Sequence, residues 1–141
     1  MRNLLLFFIA SLFFTSCDEL DSATPKEIKT INGYKIVGYY EIDGTDSIKV
    51  GERTFYPNSE KVYLEFRIKD GKRHGECLSF FQNGTRQSLN TYKEGMLNGD
   101  YRVWHENGEL QIEGQYENNK EVGEWVFYDK DGNVKKTQKF N

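Results

Sequence analysis

Four acidic residues recur at one spacing. Glu52, Glu76, Asp100 and Glu124 stand 24 residues apart, each directly after a glycine. A ladder of carboxylates is a first ingredient of a calcium site or of paired acid–base catalysis. If each acid sits on every second strand of a sheet, neighbouring acids lie roughly 9–10 Å apart. One Ca²⁺ ion takes its oxygens at about 2.3–2.6 Å, so it cannot bridge two rungs. Inverting glycosidases tolerate such separations, but a column repeated four times marks no unique cleft. The ladder is therefore expected to be structural or solubilising, with Lys72, Arg102 and Lys120 as ion-pair partners. His74 and His105 fit no metal-ligand spacing and no Ser/His/Asp set, and read as solvated surface residues. Cys77 falls in a predicted strand, where it reads as a small structural residue. The glycines are spread one per turn and form no phosphate-cradling loop. The expectation is a chain without catalytic residues, metal ligands or cofactor.

Something must space those residues so regularly. The chain has 141 residues, enough for one domain. Its 19 basic residues against 22 acidic ones lack the basic footprint of a nucleic-acid binder, so no nucleic-acid partner is expected. Aromatics reach 15%, which sets the chain apart from disordered sequences. The first 16 residues, MRNLLLFFIASLFFTS, read as an export leader: one basic residue, Arg2, then an apolar run too short to span a bilayer comfortably. With Thr15 and Ser16 before Cys17, the stretch resembles a bacterial lipoprotein signal, although Phe14 is bulkier than that pattern usually has. The resemblance implies a lipidated Cys17 at the mature N-terminus and a membrane partner in the bacterial envelope, at the outer or inner membrane. An ordinary secretory leader with a chance cysteine is the competing reading, as is a Cys17–Cys77 bridge.

The spacing of 24 extends far beyond the acids. Gly75, Gly99 and Gly123 share it, as do Gly84, Gly108 and Gly132, and Phe80, Trp104 and Tyr128. So do Tyr92, Tyr116 and Phe140, while Gly51, Tyr56 and Ile68 fall in the same register one step earlier. Each unit reads as a β-hairpin. Asn83-Gly84, Asn107-Gly108 and Asp131-Gly132 are predicted as two-residue turns with positive φ at both positions. A second turn, such as 93–98, links to the next unit. Glu60 stands where a turn glycine is expected, and Pro57-Asn58-Ser59 implies a different turn there. Because the period is even, side-chain parity is kept from unit to unit. The even positions collect Val62, Leu64, Phe66, Leu78, Phe80, Trp104 and Tyr128, whereas the odd ones are mostly polar, with exceptions at Tyr63, Phe81, Val103, Trp125 and Phe127. Residues 31–50 look like a degenerate first unit, with Ile36, Tyr40, Ile42, Ile48 and Val50 on the same parity. The fold class that follows is all-β: a long antiparallel meander, with no helix after the leader beyond a turn near Pro25. The expected division is a leader over 1–16, a lipidated cysteine and tether over 17–30, and repeats over 31–141, with units starting near 51, 75, 99 and 123. The last strand, 134–140, is an expected open edge guarded by Lys135, Lys136 and Lys139.

Tyr92-Lys-Glu-Gly95-Met-Leu-Asn-Gly99-Asp-Tyr-Arg-Val-Trp104, followed by Asn107-Gly108, resembles the MORN repeat in its bacterial variant form. Asp70-Gly-Lys-Arg-His-Gly75 resembles the linker of such repeats. The likeness covers 51–141 well and 31–50 poorly. It implies a single-layer sheet of hairpins twisting into an open shape, and for bacterial members an antitoxin-like description and a secreted lipoprotein setting.

The aromatic column is the candidate for function. Tyr56, Phe80, Trp104 and Tyr128, with Tyr92, Tyr116 and Phe140 on intervening strands, either pack across strands as core or form an exposed stripe that binds a partner. Two functions are expected from these readings. One is a non-enzymatic, lipid-anchored scaffold that presents its sheet to a protein or glycan; the other is an antitoxin or immunity-type inhibitor that occludes a toxin.

Overall fold

The computed structural model describes residues 18–141, so the leader and the lipidation expected at Cys17 lie outside the described residues. One short helix, α1 (Asp18–Ser22), precedes ten strands: β1 (Thr24–Ile31), β2 (Tyr34–Asp43), β3 (Asp46–Phe55), β4 (Val62–Lys69), β5 (Lys72–Phe80), β6 (Arg86–Lys93), β7 (Met96–Trp104), β8 (Leu110–Glu117), β9 (Lys120–Tyr128) and β10 (Val134–Phe140). All ten form one antiparallel sheet in chain order, a meander that does not close on itself. The expected all-β hairpin architecture is present. The expected tether is not: residues 18–30 form α1 and most of β1, which pairs with β2 along its length. Pro25 sits near the start of edge strand β1, where a missing N–H costs the ladder nothing, and the helix comes before it rather than at it.

The two turn types are exchanged relative to the sequence expectation. Asn32-Gly33, Asp70-Gly71, Glu94-Gly95 and Asn118-Asn119 are tight two-residue turns with positive φ at both positions, and Gly44-Thr45 is one with positive φ at the glycine alone. Asn83-Gly84, Asn107-Gly108 and Asp131-Gly132 instead end wider turns, in which only the glycine has positive φ. In the first of these, the Gly84 amide donates to the Phe81 carbonyl at 2.8 Å and the Phe81 amide to Thr85 at 2.8 Å. The Asn83 carboxamide accepts from the Thr85 amide at 2.9 Å. Asn107 accepts likewise from Glu109, and its Nδ2 donates to the Lys130 carbonyl of the following turn at 2.8 Å. Asparagine is chosen here for its side-chain oxygen, not for its backbone freedom.

Register decides which side each residue faces. Residues paired across antiparallel strands share a face. Leu78 lies opposite Leu89, Arg102 opposite Glu113, and Glu113 opposite Val126. These residues, with Arg53 opposite Glu65, define face A. Cys77 opposite Asn90, Asn90 opposite Tyr101 and Val103 opposite Ile112 define face B. Even residues of one strand thus share a face with odd residues of the next, so the uniform even face expected from parity does not exist. Ile42 and Ile48 likewise lie on opposite faces of the β2–β3 hairpin, since Ile42 pairs with Ser47 and Ile48 with Glu41.

Face B carries the aromatic core. Trp125, only 3% exposed, touches Tyr101, Tyr116 and Phe140 at centroid distances of 5.2, 5.1 and 6.0 Å. Its ring lies against the backbone of Gly114, where an added Cβ would come within 2.2 Å of ring carbon Cδ2. Further along, Arg73 lies over the rings of Phe66 and Tyr92 at 4.3 and 5.6 Å. Face A has its own smaller core of Leu20, Val37, Leu78 and Leu89. No described side chain falls below 2% exposed, as a sheet without a second layer dictates. The close Gly114–Trp125 approach predicts that Gly114→Ala lowers stability by about 3 kcal/mol in urea unfolding. Adding Trp125→Leu should recover part of that loss; equal stability of Gly114→Ala and wild type would refute the contact.

Candidate functional site: the two faces of the sheet

The seven aromatic residues singled out from the sequence do not share one surface. Phe80, Trp104 and Tyr128 alternate with Leu78, Arg102 and Val126 along their strands and so lie on face A. Tyr128 donates its hydroxyl hydrogen to the Glu113 carboxylate on that face, and this bond pushes the phenol pKa up. Tyr92, Tyr116 and Phe140 lie on face B, where Tyr116 and Phe140 join the Trp125 cluster. Tyr56 belongs to neither row. Its ring packs on Tyr34 and Tyr63 at 6.1 and 5.3 Å, and its hydroxyl donates to the Phe80 carbonyl at 2.8 Å.

Tyr56 is out of column for a countable reason. The turn after β3 closes with the Tyr56 amide donating to the Lys61 carbonyl, one residue longer than the Phe81–Thr85 turn. Asn58 takes positive φ in it, so Pro57-Asn58 does make a different turn, as the sequence implied. The extra residue means that Phe55, not Tyr56, is the counterpart of Phe80, and Gly51, not Glu52, that of Glu76. Glu52 accordingly faces Phe66 on face B and bonds Lys49 at 2.8 Å, while Glu76, Asp100 and Glu124 run along face A. Of the expected cation partners, Arg102 is in place, 3.0 Å from Asp100. No group of three or more His, Cys, Asp or Glu among the described residues could hold a metal ion.

His105 is half-buried, with Nε2 3.3 Å from the Tyr128 carbonyl, rather than fully solvated. His74 borders a hollow beside α1. Cys77 is a free, buried thiol on face B, and burial raises its pKa.

Sequence reasoning missed α1. Leu20, 4% exposed, lies over Gly51 so closely that a Cβ there would come within 2.2 Å of it. Asp21 accepts from Arg53 Nη1 at 2.6 Å, and Arg53 Nε donates to Glu65 at 2.9 Å. Burial works against the Arg53 charge, but the bonds to Asp21 and Glu65 outweigh it and the pKa ends above its ordinary value. The only sequence clue was Leu20 among acids, in a stretch read as tether. Hollows flank the seat: one of about 260 Å³ includes Leu20, Val50 and Arg67, and one of about 400 Å³ includes Asp21, Arg53 and Phe80. Farther along face A, a third of about 250 Å³ is lined by Asp100, Arg102, Glu113, Gln115 and Glu124.

Aromatic environment separates the Phe80, Trp104 and Tyr128 column from the face B rings. The face B rings touch one another or lie under cations, whereas Phe80, Trp104 and Tyr128 make no ring–ring contact among the described residues. They stand at the same end of every second strand, roughly 9–10 Å apart.

Residues 73–94, 97–118 and 121–141 each match the family model described as MORN repeat variant. No curated protein and no solved structure matches the chain.

The seat of α1 predicts that Leu20→Ala costs about 2–3 kcal/mol of local stability. Amide hydrogen exchange should quicken at residues 18–23 and along β3 while that of β7–β9 stays unchanged. Unaltered exchange at 18–23 would show that α1 does not depend on this contact.

Proposed function

We propose, from the premise that this chain carries three consecutive MORN repeat variant units, that it is a non-catalytic binding scaffold held at a bacterial envelope membrane by lipid on Cys17. The observation that carries the binding role is the aromatic column of face A. Phe80, Trp104 and Tyr128 recur on one side of the sheet, unlike the mutually packed rings of face B. Rings that bury one another on face B account for cohesion of the repeats. Phe80, Trp104 and Tyr128, spaced by two strands on the opposite face, are only half-buried, and a row of partly open rings suits an extended partner. The repeat supports the same reading, because stacked units build a continuous surface rather than a single cleft.

The anchoring half of the proposal rests on the sequence before Asp18. No helix among the described residues is long and apolar enough to cross a membrane. Attachment is assigned to acyl chains on Cys17 because Thr15-Ser16-Cys17 after the apolar run resembles a lipoprotein signal, each buried methylene adding about 0.8 kcal/mol.

Two outcomes are expected. Trp104→Ala combined with Tyr128→Ala should abolish capture of an envelope partner from solubilised membranes while thermal unfolding stays cooperative. Undiminished capture by a folded double variant would remove the binding role from face A. Separately, Cys17→Ser should move the protein from the membrane to the soluble fraction after osmotic shock. A variant that stays with the membrane would overturn the lipid anchor.

A further inference from the structure

Face A already receives one segment of chain, and the manner of its seating shows what the rest of the face is built for. Under α1, the cross-strand pair of Arg53 and Glu65 meets Asp21, and Gly51 leaves room for Leu20. The same cross-strand pair recurs two units later as Arg102 opposite Glu113. There Asp100 stands at the position of Gly51, fills the space above it, and satisfies Arg102 from within the sheet at 3.0 Å. Gln115 also turns its amide to Asp100, at 3.4 Å. An acidic, leucine-bearing segment like α1 is thus excluded from this stretch. What remains is a hollow whose formal charge is negative: Asp100, Glu113 and Glu124 against Arg102. At about 250 Å³ it is smaller than ordinary small-molecule sites, which begin at about 300 Å³, and suits a long side chain.

The neighbouring rings point to the same partner. Elsewhere in this sheet, aromatic faces take cations: Lys35 over Phe55 at 4.6 Å, Arg73 over Phe66 at 4.3 Å and Lys136 over Phe127 at 5.3 Å. Among the described residues no cation lies over Phe80, Trp104 or Tyr128. Aromatic rings beside carboxylates attract Arg and Lys through both the ring quadrupole and the charge. We propose that the β7–β9 stretch of face A docks a basic segment of a partner protein, with an Arg or Lys side chain between Asp100, Glu113 and Glu124 and its neighbours across Trp104 and Tyr128. The proposal rests on the scaffold reading and names the chemistry of its partner.

The test uses the full-length chain and a fluorescein-labelled peptide of alternating Arg and Leu, followed by anisotropy. Alternating Glu–Leu and Ser–Leu peptides and a soluble β-linked glucan serve as comparisons. Saturable binding is expected for the Arg peptide alone, weakening at least about tenfold as salt rises from about 10 mM to about 0.15 M. Trp104→Ala and Glu124→Gln, each checked for an unchanged unfolding midpoint, should each weaken it by about tenfold. No saturable binding, equal binding of the Glu–Leu peptide, preference for the glucan, or indifference to both substitutions overturns the proposal. Concentration-dependent self-association that is lost on changing Lys135, Lys136 and Lys139 to Ser would give the face to a second copy, and also overturns it. Capture of an envelope partner that depends on Trp104 and Tyr128, without binding of the Arg peptide, would sink this inference and leave the scaffold reading standing.

Discussion

Positive-φ backbone at fixed points in each unit is the constraint from which the rest follows. Asp70-Gly71, Glu94-Gly95 and Asn118-Asn119 reverse the chain in two residues, and Gly84, Gly108 and Gly132 close the wider turns at the other end. Between them, Gly75, Gly99 and Gly123 take positive φ inside strands, where the ladder slips: Phe66 pairs with Cys77 but Ile68 with Arg73. A second slip sits near the wider turns, where Ser79 pairs with Ser88 but Phe80 with Arg86. Each is a bulge that re-aims side chains, and each recurs unit after unit. Together they set register, and register alone assigns a residue to face A or face B. Had Gly99 been unable to reach φ of 122°, Tyr101 would have lost its place beside Tyr116 and Trp125.

A single layer has no opposing sheet to cover it, so each face has to find its own burial. On face B the answer is size complementarity along one row across the strands: Phe66 beside Cys77, Asn90 beside Tyr101, and Trp125 over Gly114. Large and small alternate, and the gap left by one residue is filled by its neighbour. Face A lacks such a row and relies on the Leu78–Leu89 pair together with α1. The helix is therefore less an appendage than the missing second layer over β3 and its neighbours. Beyond its reach, face A turns to Arg102, Asp100 and Glu113, which need no apolar cover.

The architecture was legible because it rests on columns of glycine and aromatics that survive copying. A meander with two turns per unit follows from the 24-residue period over 51–141, whereas β1 lies in the stretch expected to be a tether; β10 is the edge strand that the sequence suggested. Facing was less legible. Parity links Phe80 to Trp104 and Tyr128 correctly, since these lie on equivalent strands, but it says nothing about the intervening strand until the turn is counted. Between β7 and β8 the wider turn and its slip pair odd Val103 with even Ile112, so Tyr116 and Trp104 part company although both numbers are even. One additional residue between Tyr56 and Lys61 then displaces Tyr56 and Glu52 from columns they match by number. Leu20 carried no periodic signal, because a single apolar residue in a five-residue helix leaves no repeat to read.

The seat of α1 also bears on how the molecule would be held. Cys17 is joined by one peptide bond to the first residue of α1, and α1 is fixed to the sheet through Leu20 and the Asp21–Arg53–Glu65 chain of bonds. A flexible linker of several residues would let a lipid-anchored sheet turn freely above the membrane. With α1 seated on the sheet, the lipid proposed above for Cys17 would hold the sheet close to the bilayer. Reach toward a distant partner would then come from the length of the sheet itself. The repeats from β5 to β10 are the part that extends away from the α1 seat, and they carry Trp104, Tyr128 and the acidic hollow. Adding a hairpin unit would lengthen that reach by two strand widths, roughly 9–10 Å, without disturbing the α1 end.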